Sequence, residues 1–312
     1  MTPAAAIPVF LASVALMLWA ASVFARRLDL IGERLGMPET LLGLLTALAA
    51  DAPEISSAIT ALVSHQRSVA VGVVVGSNAF NLAAMLGLSA VVATRVRSRH
   101  DAFEIEAAGA LWFVAVCLAV VFGWIGGRVG LVLVVLAVVP YAFLLGRGEP
   151  PEHPRERAID VWRESRRLVL VLAVALALIV GGSVGAVRSA TDLGHAWSVP
   201  PAIVGVLVLA ILTSLPNAWT GVRFGLQGRG SALMSETLNS NSINLTAGLA
   251  LPVALGSLGA FSGVDKFDLA WLLGMTVVSV VLFGRRGGGG RTAGGALIAL
   301  YAVFVAVQLI TN

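Results

Sequence analysis

The sequence predicts an all-α polytopic membrane protein: ten transmembrane helices arranged as two inverted five-helix repeats, with helices 2 and 7 kinked. Three observations lead there. Hydrophobic residues make up 58% of the 312 and charged residues only 12%, with a mean hydropathy of +0.91, against about 25% charge in an average soluble domain. Ten apolar stretches are each long enough to cross a hydrocarbon core, which takes about 20 residues. A single offset of 163 residues superposes polar motifs of stretches 2 and 3 on those of stretches 7 and 8.

The spans are read at 5–25, 37–64, 68–94, 104–125, 128–146, 167–187, 199–226, 231–256, 267–284 and 293–311. No basic residue precedes the first span, and Arg26 and Arg27 follow it. That is the reverse of a secretory signal, so it is read as retained. Span 2 carries ALAADAPEISSAIT at 47–60, where Pro53 cannot donate its N–H and bends the helix. The single cysteine, Cys117, lies inside apolar span 4, which excludes an intrachain disulfide or a cysteine metal site. The polar, Pro-rich stretch 147–166 joins a first half at 1–146 to a second at 167–312. Span 7 contains Pro216, the counterpart of Pro53. The run GRRGGGGRTAGG at 284–295 is no Walker loop and reads as a flexible basic turn, so no nucleotide-binding module is expected. Trp19, Trp124, Trp197 and Trp271 lie toward span ends and read as interfacial anchors.

A net charge of +4 and a pI near 10.2 could suggest nucleic acid as a partner. The basic residues lie instead in short spacers between apolar runs, so they read as topology determinants facing the lipid bilayer. Spacers after the odd-numbered spans hold 17 of the 21 Lys and Arg, and those after the even-numbered spans hold 4. The positive-inside rule then puts both termini outside the cell membrane and 147–166 in the cytoplasm.

The repeat carries the chemistry. VGSNAFN at 75–81 recurs as LNSNSIN at 238–244, and Pro53 precedes Ser77 by the same 24 residues that separate Pro216 from Ser240. Five spans per half is an odd number, so the halves enter the membrane in opposite senses, an architecture of secondary transporters. Asp51 and Glu54 flank Pro53 at membrane depth, where each carboxylate costs about 2.5–3.5 kcal/mol unless it meets a cavity, a partner or a cation. His65, His100, His153 and His195 have no metal-spaced partners in sequence, which disfavours a transition-metal site.

A Pro-Glu in a kinked helix, followed by Gly-Ser-Asn-x-x-Asn and repeated once within ten spans, resembles the cation/calcium exchanger superfamily, which includes the sodium/calcium exchangers. The likeness covers the whole chain in layout and about 45 residues of each half in motif. It implies a central Ca²⁺ and Na⁺ site built from acidic, hydroxyl and amide side chains. Carried over, it points to Glu54, Ser77 and Asn81 in the first half and Thr213, Ser214, Ser240 and Asn244 in the second.

The chain departs from that family's Gly-Thr-Ser-x-Pro-Glu in both kinked helices. The first reads Ala49-Ala50-Asp51-Ala52-Pro53-Glu54 and the second Leu212-Thr213-Ser214-Leu215-Pro216-Asn217. Asp51 is gained, and Asn217 stands where a glutamate is expected; both join the candidate set. Glu236 precedes Ser240 by four residues and Asn244 by eight, which places all three on one helix face and offers a third carboxylate. The bland readings are a helix-interior hydrogen bond for Asp51, a first-turn acid on the helix dipole for Glu236, and polar glue between helices for the Ser and Asn residues.

The resulting expectation is a secondary antiporter, not an enzyme, without cofactors, that exchanges Ca²⁺ for Na⁺ or H⁺ by alternating access. Two like charges one helical turn apart admit a proton as well as Na⁺ as counter-ion. A monovalent cation/proton antiporter, a channel and a non-transporting scaffold of the same fold stay open.

Overall fold

A computed structural model of the chain describes residues 1–34, 47–97, 100–146, 158–285 and 288–311. The chain is almost entirely helical. Helix α1 spans Pro3–Arg34; after residues 47–50, also helical, come α2 (Ala52–Val63) and α3 (Arg67–Asn81), which runs on through Leu82–Leu88 and Ser89–Val92. Next are α4 (His100–Val121), α5 (Gly127–Gly146) and α6 (Ala158–Ala196). Helix α7 comprises Pro201–Ile203, Val204–Leu209 and Ala210–Thr213, and α8 is Leu215–Leu226. The remainder are α9 (Gly230–Leu245, continued by Thr246–Ala250 and Leu251–Ala254), α10 (Gly263–Phe283) and α11 (Arg291–Thr311). Among the described residues six helices are long and apolar enough to span a membrane, or seven if the bent pair α7–α8 is one span. Helix α9 carries Glu236, Asn239, Ser240, Asn241, Ser242 and Asn244, too polar a surface for lipid.

Both expected kinks fall two residues before their prolines. Helix α7 meets α8 at 47°, with Ser214 at φ −86°, ψ −1°. Asp51 takes nearly the same conformation, φ −80°, ψ −8°, between 47–50 and α2. The hydrogen bonds bracketing the breaks also correspond: Ile55 N–H to Asp51 C=O (3.0 Å) and Ala218 N–H to Ser214 C=O (3.0 Å). Proline supplies no N–H to the preceding turn, so the ladder opens there.

Helices α3 and α9 form the interior. Within Arg67–Val92, 94% of the most apolar window is buried, against 22% for Pro3–Leu28. Val69, Val73, Val75, Leu82, Met85 and Leu86 of α3 pack with Leu233, Leu238, Leu245 and Leu249 of α9 in one core. Glycines set the spacing: a Cβ on Gly76 would lie 2.6 Å from the Val206 carbonyl, and Gly205 meets the Val69 backbone as closely. Helices α1 and α6 lie along one another at the side, with Gly182 against Ser13 and Met17.

Three features differ from expectation. Helix α6 begins at Ala158, inside the stretch read as linker, because no Pro or Gly follows Pro154 before Gly181. The glycine run is pinned at its described end: Gly289–Gly290 pairs antiparallel with Arg95–Val96. Gly288 (φ +70°) sits against the Val96 carbonyl and Gly289 against the Phe283 ring, where a side chain would overlap. Trp271, read as an interfacial anchor, packs inward, its ring stacked on Phe304 and touching Phe267. Trp19, Trp124 and Trp197 are exposed. Residues 37–46 and 147–157 lie outside the described residues.

Gly76→Ala should destabilise the protein by about 1–3 kcal/mol through overpacking against α7, whereas Gly274→Ala, where nothing lies within 4 Å of a new Cβ, should be neutral or stabilising. Thermal unfolding of the two variants in detergent, followed by size-exclusion fluorescence, checks the contrast.

Candidate functional site

The break at residue 51 places Asp51 at the head of α2 and Glu54 one turn further, both at most 2% exposed. The break at residue 214 brings the second half to meet them. Asn217 Nδ2 donates to Asp51 Oδ1 (2.8 Å) and lies 3.3 Å from Glu54 Oε1. The Ser214 hydroxyl donates to Glu54 Oε1, and the Asn244 amide to Glu54 Oε2. Ser240 Oγ donates to Asp51 Oδ1 (2.5 Å) and accepts from Asn81 Nδ2 (3.2 Å). It also lies 3.3 Å from Asn217 Nδ2. Four of the five donors and acceptors that surround the first half's acids thus come from the second half.

Four buried side-chain oxygens here have no hydrogen-bond partner among the described residues: Asp51 Oδ2, Asn81 Oδ1, Asn217 Oδ1 and Asn244 Oδ1. Among the described residues no Arg, Lys or His forms an ion pair with Asp51 or Glu54. Two carboxylates removed from water without a basic partner are strongly unfavourable as bare anions. Neutral donors ease that cost, and a cation or protons would remove it. Carboxylate, hydroxyl and amide oxygens are hard ligands, suited to Na⁺ or Ca²⁺ rather than to a transition metal.

Asp51, Glu54, Asn81, Ser214, Asn217, Ser240 and Asn244 are therefore joined in one network. The other candidates stand apart. Ser77 is fully buried, but its hydroxyl donates to the Val74 carbonyl (3.1 Å). Thr213 Oγ1 donates to Leu209 (2.9 Å) and lies 3.2 Å from the Ala210 carbonyl. Glu236 is buried on α9 one turn before Ser240. It adds no third acid to the pair, because among the described residues no three of His, Cys, Asp and Glu gather at metal-binding distance.

Three features escaped the sequence reading. Leu82–Leu88 and Thr246–Ala250, directly after Asn81 and nearly so after Asn244, are π-helical, as is Val204–Leu209. Such widened turns recur at functional sites, and no residue pattern announced them. Ser57, one turn past Glu54, lies 3.5 Å from Ser183 Oγ of α6, whose hydroxyl points to Met17 Sδ of α1 (3.2 Å). A hydroxyl three residues after the acid was the available signal. Finally, Asn241 Nδ2 donates to the Asn78 carbonyl (3.1 Å), so these counterparts at the 163-residue offset touch.

The fold and the site define an integral membrane protein of apolar helices with a buried, oxygen-lined carboxylate pair at a helix break. The chain belongs to the sodium/calcium exchanger protein family, whose model matches residues 5–146 and 167–310. Inner membrane protein YrbG of Escherichia coli strain K12 is 26% identical over 285 residues, 87% of this chain and 87% of that protein. Among solved structures, the H⁺/Ca²⁺ exchanger CAX superposes with a TM-score of 0.77 at 13% identity, covering 98% of this chain and 86% of its own. The sodium-calcium exchanger NCX_Mj gives 0.69 at 19% identity, covering 98% and 99%. At these identities the superpositions establish a shared fold.

Ser240→Ala removes the hydroxyl that serves Asp51 and Asn81, and should lower stability by about 1–3 kcal/mol. Thr237→Ala, one turn away, loses only a bond to its own helix's Leu233 carbonyl (2.8 Å) and should cost less. Denaturation midpoints of the two purified variants test the difference.

Proposed function

We propose that this chain is a secondary active antiporter that exchanges Ca²⁺, or a similar cation, for Na⁺ or H⁺ by alternating access at the Asp51–Glu54 site. The observation that carries the reading is the pair of buried carboxylates that have no basic partner among the described residues, beside four side-chain oxygens likewise unpartnered there. Ca²⁺ takes six to eight oxygens at about 2.3–2.6 Å. Asp51, Glu54, Asn81, Ser214, Asn217, Ser240 and Asn244 offer more than that number, with amide rotation turning oxygens inward. Ser77, Thr213 and Glu236 stay candidates for another conformation. The names of the related sodium-calcium and H⁺/Ca²⁺ exchangers suggest which ions to test.

An antiporter needs its empty site to be immobile. Two uncompensated carboxylates cannot cross a low-dielectric barrier, while a loaded site of low net charge can. Only cation-loaded forms then change sides, and transport becomes exchange.

The ten-span, inverted arrangement belongs to this proposal. It is supported by five apolar stretches in each half, by equivalent helix breaks at 51 and 214, and by π-helical turns after Asn81 and Asn244. The distribution of arginines supports external termini and a cytoplasmic 147–166 stretch. A monovalent cation/proton antiporter is the second reading, favoured by Asn217 in place of a second-half acid and by the absence of a third carboxylate among the described residues.

In tight proteoliposomes, radioactive Ca²⁺ uptake should follow an outward Na⁺ gradient or an outward proton gradient, and Glu54→Gln should abolish it. No uptake under either gradient would reject Ca²⁺ exchange and favour the monovalent reading. Full uptake by Glu54→Gln would remove Glu54 from the site.

A further inference from the structure

The two halves do not carry their acids symmetrically. At the 163-residue offset Glu54 corresponds to Asn217 and Asp51 to Ser214, so a symmetric site would divide its carboxylates equally between the bent helices, one on each for a total of two. This chain holds both on the first. The contacts nevertheless cross between the counterpart pairs: Asp51 is bonded by Asn217, the counterpart of Glu54, and Glu54 by Ser214, the counterpart of Asp51. The carboxylate of Asp51 therefore lies 2.8 Å from the side chain that would carry the second charge if Glu54 were matched in the second half.

We infer that Asp51 and Asn217 are a reciprocal pair, in which Asp51 supplies from across the site the charge that position 217 lacks. The site is set by its count of two carboxylates, and the second of them can stand at either residue. The inference rests on the proposed cation exchange, because it assigns the charge that matches a divalent ion.

The geometry makes the exchange of side chains conservative. Asp and Asn have the same shape, and both residues are fully buried. With Asn at 51 and Asp at 217, the bond between them persists with donor and acceptor reversed. Ser240 Oγ, which donates to Asp51 Oδ1, lies 3.3 Å from Asn217 Nδ2, so its hydroxyl can turn to a carboxylate at either position. Asn217 Nδ2 is also near Glu54 Oε1, so a carboxylate at 217 would face the same neighbouring acid that Asp51 faces now. Asp51→Asn alone leaves one carboxylate and two facing amides; Asn217→Asp alone crowds three carboxylates together.

The test compares wild type, Asp51→Asn and the double variant Asp51→Asn/Asn217→Asp in full-length protein. Two readouts are used: Ca²⁺ uptake into proteoliposomes, and the cation-induced rise in melting temperature in detergent. Asp51→Asn should weaken Ca²⁺ binding and uptake by about 100-fold, and the second substitution should restore both to within about tenfold of wild type. A double variant that melts like wild type without added cation yet stays as inactive as the single would overturn the pairing. So would an Asp51→Asn variant with wild-type uptake. Should the exchanged pair unfold, Asp51→Ser/Asn217→Glu, which gives each break a serine and each half a glutamate, replaces it with the same expected recovery. If wild type neither binds nor transports Ca²⁺, the proposed function fails, and Na⁺-induced stabilisation of the same proteins decides the pairing. Recovery of that stabilisation in the double variant supports it, and none overturns it.

Discussion

Two carboxylates held away from water, with no basic partner among the described residues, are the constraint on which the rest of this structure depends. Asp51 and Glu54 come from one half of the chain, yet Ser214, Asn217, Ser240 and Asn244 come from the other. Neither half can satisfy its polar groups alone. The helix breaks exist where the acids must be presented, and the most polar helix, α9, is kept from lipid because its side chains serve this site. The glycines along α3 and α7 then draw the helices around it close enough for hydrogen bonds between short side chains.

The backbone follows the same logic. At residues 51 and 214 the helical ladder is interrupted by the prolines that follow, and the residue at each break is itself part of the network. Side-chain position is thereby set by backbone geometry, which is stiffer than a rotamer choice. The π-helical turns beyond Asn81 and Leu245 let α3 and α9 deliver their amides to the site and then resume a different phase against neighbouring helices.

Much of this was legible in the sequence because its causes are local. Proline at 53 and 216 bends a helix whatever surrounds it, and a shared spacing of Pro, Ser and Asn marks a repeat without reference to packing. The network was legible for the same reason, since seven of its residues sit in or beside those motifs. What the sequence could not place depends on tertiary distance. Glu236 shares a helix face with Ser240 in projection, but helical phase does not say how far along the axis a neighbour reaches, and Asp51 and Glu54 meet the helix at 240–244. Ser77 and Thr213 carry the expected hydroxyls, yet the nearest acceptors are their own helical carbonyls. The glycines at 288–290 looked like freedom in one dimension. In three, Gly288 and Gly289 leave no room for a side chain where one loop lies against another.

The meeting of Asn78 with Asn241 carries a lesson about duplication. Near the point where two copies of a segment touch, a residue can meet its own twin: here the Asn241 amide donates to the Asn78 backbone carbonyl. An amide can make that contact because it carries a donor and no charge, and asparagine stands at this position in both copies. A carboxylate cannot: a glutamate facing a glutamate needs a shared proton or an ion at all times. Glu54 and Asn217 are such a facing pair, 3.3 Å apart, and one of the twins is an amide. The amide at that single position gives the pair of acids a hydrogen bond from the opposite half, so the shape of the network is held by the chain's own side chains.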